Sequence, residues 1–219
     1  MAAVLDTDIM HRLGAEGLPS RAAAARARAR GEALAMIKRE NLAAPAMTSR
    51  IVPVGRIAGV EIELDGVAVH APGLAGAPGE LRAVAAAVCT LGAAIERRVS
   101  ALFAARRRLL ALALDDIGNE MLFRLADRSV ARIRRRARLD GLESGIEASP
   151  GDAGLPLDQQ AFVLALAGSS RIGVSATGTS MLSPVKSLSI LVALGHGLDP
   201  RPAPARCDCC PSRDRCRAK

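Results

Sequence analysis

The densest chemistry in the sequence lies at its end. The stretch "CDCCPSRDRC" puts Cys207, Cys209, Cys210 and Cys216 close together. Cys207 and Cys210 form a C-x-x-C, the spacing at which two thiolates can grip one soft metal ion. Cys209 and Cys216 are the further candidate ligands. A full zinc module carries a second ligand pair much farther along, and none follows here. Three or four thiolates at this spacing can hold Zn²⁺ or an Fe–S cluster, or can stay reduced. Spacing alone does not separate zinc from iron–sulfur.

Other chemical candidates are weaker. Asp115 and Asp116 form a carboxylate pair, but neighbours on a helix point about 100° apart and do not converge on one proton. A solvated helix face is the expectation for them. The three histidines, His11, His70 and His196, have no partner at metal spacing. There is no Gly-rich strand-to-helix loop of the Rossmann kind and no P-loop. No acid, base or nucleophile constellation stands out.

The stretch "IEASPGDAGLPLDQQAF", Ile146 to Phe162, holds a different feature. Pro150-Gly151 and Gly154-Leu155-Pro156 are two turn signals in close succession, followed by a short helical run. An elbow of this kind beside a helix start implies that the backbone there closely approaches something.

The elements that must position these residues follow from pattern. Residues 5–15 and 20–41 read as helices, the second opened by Ser20 as N-cap and rich in strong helix formers. Residues 50–70 alternate Val and Ile with other residues and carry Asp65-Gly66, which reads as short antiparallel strands with hairpin turns. "LRAVAAAVCTLG" suggests a helix end followed by a buried strand, Val84 to Cys89. An amphipathic helix follows, and then the longest one. Its stripe is Leu110, Leu114, Ile117, Met121, Leu125 and Ile133; its charged side carries Asp115, Asp116, Arg124, Arg128, Arg132 and Arg135. After the elbow come a short helix, Leu157 to Leu166, and two strands, "RIGVSATG" and "VKSLSILVAL". Lys186, Leu188, Ile190 and Val192 share one side of the second. Pro200, Pro202 and Pro204 form a stiff linker. The pattern predicts an α+β fold: a single domain with an antiparallel or mixed sheet flanked by helices, a helical N-terminal extension and a short cysteine-rich tail.

Composition narrows the function. Half of the 219 residues are hydrophobic, but only three are aromatic, all Phe. The core is therefore built from Ala, Leu, Val and Ile, and the aromatic platforms on which single-stranded nucleic acid stacks are missing. The net charge of +8 is unevenly placed. Residues 97–138 carry 12 basic and 4 acidic groups, whereas residues 139–200 carry 2 and 6. Only three of the 30 basic residues are Lys, and a GC-rich coding bias alone produces such an Ala/Arg style. The longest apolar run, Ala83 to Ile95, is interrupted by Thr90 and Gly92 and is too short to span a bilayer. No signal peptide is visible, and the clustered thiols suit a reducing compartment. A cytoplasmic protein is expected.

At the elbow the residues carry a resemblance. Ser149-Pro150-Gly151, Pro156-Leu157, Ile172-Gly173-Val174, Thr177, Met181, Pro184, Lys186-Ser187 and Ser189, followed by the cysteine tail, resemble the activation domain of vitamin B12-dependent methionine synthase. They are closer still to the stand-alone proteins that carry this domain. Those read Arg-x-Ser-Pro-Gly-Tyr-Gly-Asp-x-Pro-Leu, then Ile-Gly-Val-x-Leu-Thr-Glu-Ser-x-Met-Met-x-Pro-x-Lys-Ser-Val-Ser, and many end in a C-x-x-C tail. The resemblance covers roughly residues 80–219, and more loosely the strands from residue 50, and the chain is read in three parts: a helical extension over 1–45, an activation-like domain over 46–199, and a linker with its tail over 200–219.

The resemblance implies that the elbow approaches S-adenosylmethionine and that the domain caps a corrinoid. Glu147, Ser149, Gly151, Asp152 and Thr177 are then the cofactor-binding positions. The family Arg is Glu147 here, the Tyr is Asp152, and the Glu of Thr-Glu-Ser is Gly178. Replacing an Arg clamp by a like charge predicts weak or lost binding of the cofactor's carboxylate. The implied function is an accessory role in the reductive reactivation and remethylation of a corrinoid methyltransferase or split methionine synthase, with cobalamin on the partner. The basic segment 97–138 suits an acidic partner, such as a flavodoxin-like reductant or the corrinoid module. The alternative is a Zn or Fe–S scaffold that binds nucleic acid through the Arg-rich helix, against which the missing aromatics and the acidic C-terminal half count.

Overall fold

The structure, a computed structural model, describes residues 20–198. The first expected helix, residues 5–15, the proline linker and the cysteine tail lie outside the described residues.

Helix α1, Arg21–Glu40, starts where the Ser20 side chain accepts the Ala23 N–H at 3.2 Å and ends at Asn41 in the left-handed region. Its Ala29, Ala33, Met36 and Ile37 are buried. A long strand β1, Ala46–Ala58, then leads into β2, Glu61–Leu64, and β3, Val67–His70. The turn between β2 and β3 is Asp65-Gly66, with φ of 55° and 78°, the hairpin geometry this dipeptide favours. The short helix α2, Pro72–Ala75, crosses to β4, Glu80–Thr90. Helices α3, Ala94–Ala104, and α4, Arg108–Leu139, follow. Strand β5, Glu143–Ala148, enters the elbow, which leads through a 3-10 turn to α5, Gln160–Ala167. A small hairpin of β6, Ser175–Ala176, and β7, Leu182–Ser183, precedes β8, Ser187–His196.

Six strands form one antiparallel sheet in the order β3-β2-β1-β4-β8-β5. Both of its faces are covered. On one, Ala85, Ala87, Cys89, Ile190, Val192 and Leu194 pack under α1, α3 and α4. On the other, Val84, Ala86, Val88, Leu191 and Ala193 pack against Leu74, Leu155 and α5. A strand buried on both faces reads as a continuous apolar run, which is how Val84 to Cys89 looks in the sequence.

Three local expectations are corrected. Leu81 and Arg82 belong to no helix; the strand runs unbroken from Glu80 to Thr90. Alanine favours helix locally, but between two helical layers its small side chain lets both layers close onto the strand, and tertiary context decides. Arg171 and Ile172 lie in a 3-10 turn, Ser169–Ile172, so the strand expected over "RIGVSATG" shrinks to Ser175–Ala176. That turn is tied by Val174 N–H to the Ser169 carbonyl at 3.2 Å and by the Ser169 hydroxyl to the Val174 carbonyl at 2.8 Å. Finally, Asp115 is not free on a solvated face: its side chain, 40% exposed, pairs with the buried Lys186.

The stripe of α4 is placed as expected at Leu110, Leu114, Ile117 and Ile133, which are buried, with Met121 and Leu125 half-buried beside them. Arg128, Arg132 and Arg135 are exposed, while Arg124 is half-buried.

Candidate functional site

The elbow is a self-closed loop. Gly151 N–H donates to the Leu155 carbonyl at 2.8 Å, and Leu155 N–H to the Asp152 carbonyl at 3.0 Å. Asp152 N–H donates to the Ser149 carbonyl at 2.9 Å, while the Asp152 carboxylate accepts the Ser149 N–H at 2.7 Å. Asp152 thus closes on Ser149 both ways, an Asx-type arrangement that spends the carboxylate within the loop. Gly151 has φ of 100°, a backbone that a residue with a Cβ rarely adopts. Leu155 is fully buried and pins the loop to the sheet.

What the elbow approaches inside the chain is α2. Gly73 N–H donates to the Gly154 carbonyl at 3.0 Å. A Cβ on Gly154 would lie 2.9 Å from the Gly73 Cα, and one on Gly73 would lie 2.8 Å from the Gly154 Cα. Two backbones meet here with no room for a side chain on either.

Of the five positions expected to bind cofactor, the structure brings Ser149, Gly151 and Asp152 together. Glu147 of β5 sits opposite Val192 of β8, on the face covered by α4, and its carboxylate accepts from Arg134 of α4 at 2.8 Å. The ladder is irregular between Ser144 and Glu147. Such a bulge resets which face each side chain points to, so sequence alternation did not reveal Glu147's side. Thr177 is exposed in the β6–β7 hairpin. Its N–H donates to the Met181 carbonyl at 2.8 Å, and its hydroxyl accepts the Met181 N–H at 3.2 Å.

These residues do not fit an Arg-type clamp for the carboxylate of S-adenosylmethionine. Position 147 offers a carboxylate already held by a guanidinium. The Ser149 and Gly151 N–H groups, which could have faced a ligand, are engaged within the loop. Cys207, Cys209, Cys210 and Cys216 lie outside the described residues; among the described residues no group of His, Cys, Asp and Glu is arranged to hold a metal ion.

A second polar cluster escaped the sequence reading. Lys186, at the entry to β8, is almost fully buried, and its ammonium donates to Asp115 Oδ1 at 2.7 Å and Asn119 Oδ1 at 2.6 Å. Gly118 makes room for it: a Cβ there would stand 3.2 Å from the Lys186 Cε. A glycine inside a long helix was the available signal. Beside it, Glu96 of α3 accepts the Val185 N–H at 2.6 Å, and Ser187 and Thr90 share a hydroxyl contact at 2.8 Å. The segment leading from the β6–β7 hairpin into β8 is therefore anchored to α3 and α4. Partial desolvation, and then the charges of Asp115 and Glu120, raise the Asp116 carboxyl above the ordinary range.

No family model matches the sequence, and no curated protein is similar to it. Among solved structures, the crystal structure of the MetH reactivation domain bound to AdoHcy is similar, with a TM-score of 0.56 and 18% identity over 84% of this chain and 71% of that one. At that identity the likeness is one of architecture. The chain has a fold related to that of the MetH reactivation domain.

Proposed function

We propose that the protein is an accessory to a corrinoid-dependent methyltransferase, capping or presenting the corrinoid protein for reductive reactivation and remethylation. The observation that carries this reading is the related fold, joined to the ordered run of positions from Ser149 to Ser189 that resembles the activation domain. The neighbour's bound AdoHcy places an S-adenosyl ligand on that fold. By the resemblance, Glu147, Ser149, Gly151, Asp152 and Thr177 are the positions that face such a ligand, and the self-closed elbow and the Glu147–Arg134 pair support weak or lost binding of S-adenosylmethionine. The protein then contributes geometry, and the chemistry belongs to the partner's cobalamin.

On this reading residues 46–199 are the functional unit, 1–45 an extension whose α1 buttresses α4, and 200–219 a linker ending in a Zn or Fe–S site at Cys207, Cys209, Cys210 and Cys216. The exposed Arg128, Arg132 and Arg135 of α4 suit an acidic partner, either the corrinoid module or a flavodoxin-like reductant. The setting is cytoplasmic; no helix of the described residues is long and apolar enough to cross a membrane. Against the nucleic-acid alternative, Arg134 and Arg136 of α4 are already paired with Glu147 and Asp140, and the aromatic platforms for stacking bases are missing. Affinity capture with the full chain from cells grown with cobalamin tests the proposal. Recovery of a corrinoid protein is expected, and recovery of nucleic acid alone overturns it.

A further inference from the structure

We propose that the corner between α3 and α4, closed on one side by α1, is a binding cleft for a multiply charged anion of the oligophosphate class. The proposal does not depend on the corrinoid reading. A cavity of about 370 Å³ opens between these helices, lined by Arg28 and Glu32 of α1 and by Arg106, Arg107 and Arg108 of the corner. That volume is in the range of small-molecule sites, about 300–1,000 Å³.

The charge balance of the cleft is one-sided. Four arginines line it with a single acidic residue, and that carboxylate is engaged, because Glu32 accepts from Arg107 at 2.5 Å. Among the described residues no hydrogen bond or ion pair engages the side chains of Arg28, Arg106 or Arg108, all of which are exposed. Guanidiniums present planar forks that match phosphate oxygens two at a time. Three unmatched forks, carried by two helices and the corner between them, offer more such pairs than one monovalent anion can use, which is why an oligophosphate fits.

The backbone holds the arginines in place. The corner is a helix C-cap in which Arg106 N–H donates to the Phe103 carbonyl at 3.0 Å and Arg107 N–H to the Leu102 carbonyl at 2.9 Å. Arg106 takes φ of 58°, where such caps ordinarily carry glycine. Helix α4 then begins at Arg108 with no side-chain cap, so its positive end adds to the like charges instead of opposing them. An anion in the cleft relieves that repulsion.

Calorimetric titration of the full chain with tripolyphosphate tests the cleft. Expected is one site whose affinity weakens as salt screens it. Arg106→Gly with Arg108→Gln should weaken binding at least tenfold; the glycine also relieves the left-handed backbone, so the variant should melt no lower than the parent. Glu32→Gln should tighten binding several-fold by freeing Arg107. Arg128→Gln with Arg132→Gln, farther along the same helix, should leave it unchanged. A parallel titration with ADP and with pyrophosphate separates the sources: ADP at least tenfold tighter assigns a nucleotide, and equal affinities assign the phosphates alone. Absence of tripolyphosphate binding overturns the proposal. So does equal weakening by the Arg128/Arg132 pair, which would mean diffuse attraction to a basic protein.

Discussion

Glu147 on β5 and Arg134 on α4 meet at 2.8 Å between the sheet edge and the long helix, with side chains 15% and 32% exposed. The position at which the resembling family carries an arginine is thus occupied by the opposite charge, and the guanidinium is supplied by the neighbouring helix. In this chain the carboxylate at 147 is engaged by that guanidinium.

Restoring the family residue should therefore harm the fold. Glu147→Arg places two guanidiniums side by side and should cost about 2 kcal/mol in urea unfolding. That is less than the cost of breaking a fully buried pair, because Arg134 keeps some contact with water. S-adenosylmethionine affinity should not rise. A stable variant with a strong gain in affinity would show that the pair does not hold position 147.

The contact between Gly154 and Gly73 makes a sharper prediction. Gly154→Ala and Gly73→Ala should each destabilise by about 1–3 kcal/mol, since backbone faces backbone and neither can give way cheaply. The two losses should not add, because both force apart one contact. Gly178→Ala, with nothing within 4 Å of its added Cβ, should stay within about 0.5 kcal/mol. Thermal melts of the four variants decide this.

The Lys186–Asp115 pair is asymmetric, with side-chain exposures of 5% and 40%. Removing the exposed partner strands a buried ammonium; removing the buried one leaves a carboxylate that water can reach. Asp115→Asn should thus cost more than Lys186→Met, about 3 against about 1 kcal/mol, and the double variant should behave like Lys186→Met. The reverse order would show that the ammonium is solvated.

Asp116 gives a pH dependence. Its folded carboxyl titrates above the ordinary Asp value, so the folded chain holds the proton more tightly than the unfolded one. Its charged form is therefore the unfavourable one, and stability attached to its protonation is lost as pH rises through the folded value. Asp116→Asn should raise stability at pH 7 by a few tenths of a kcal/mol, the residue being exposed. The gain should vanish well below the ordinary Asp value, where Asp116 is neutral in the folded and the unfolded chain alike. An undiminished gain at pH 3 would mean that charge is not the cause.

Much of the architecture was legible because it is encoded locally. Ser20 marked the start of α1, Asp65-Gly66 marked the β2–β3 turn, and the helical spacing of Leu110, Leu114 and Ile117 marked the buried side of α4. The failures have nonlocal causes. Alanines at 83 and 85–87 favour helix in isolation and become strand only between two helical layers. The side taken by Glu147 depends on a ladder irregularity that periodicity cannot register. Lys186 looked like the first residue of an apolar stripe, and its partners Asp115 and Asn119 lie some 70 residues earlier in the chain. The elbow was visible as a turn, but that its glycine meets Gly73 was not.

The most direct test of the central claim is reactivation itself. The corrinoid-loaded methyltransferase of the same cell, oxidised to cob(II)alamin, is given a reduced flavodoxin and S-adenosylmethionine with and without this protein, and the return of methylcobalamin is followed by absorbance. The account predicts faster return with the protein present. Arg128→Glu, Arg132→Glu and Arg135→Glu together should lose that gain without lowering the melting temperature. An unchanged rate, with no complex between the two proteins on size exclusion, would contradict it.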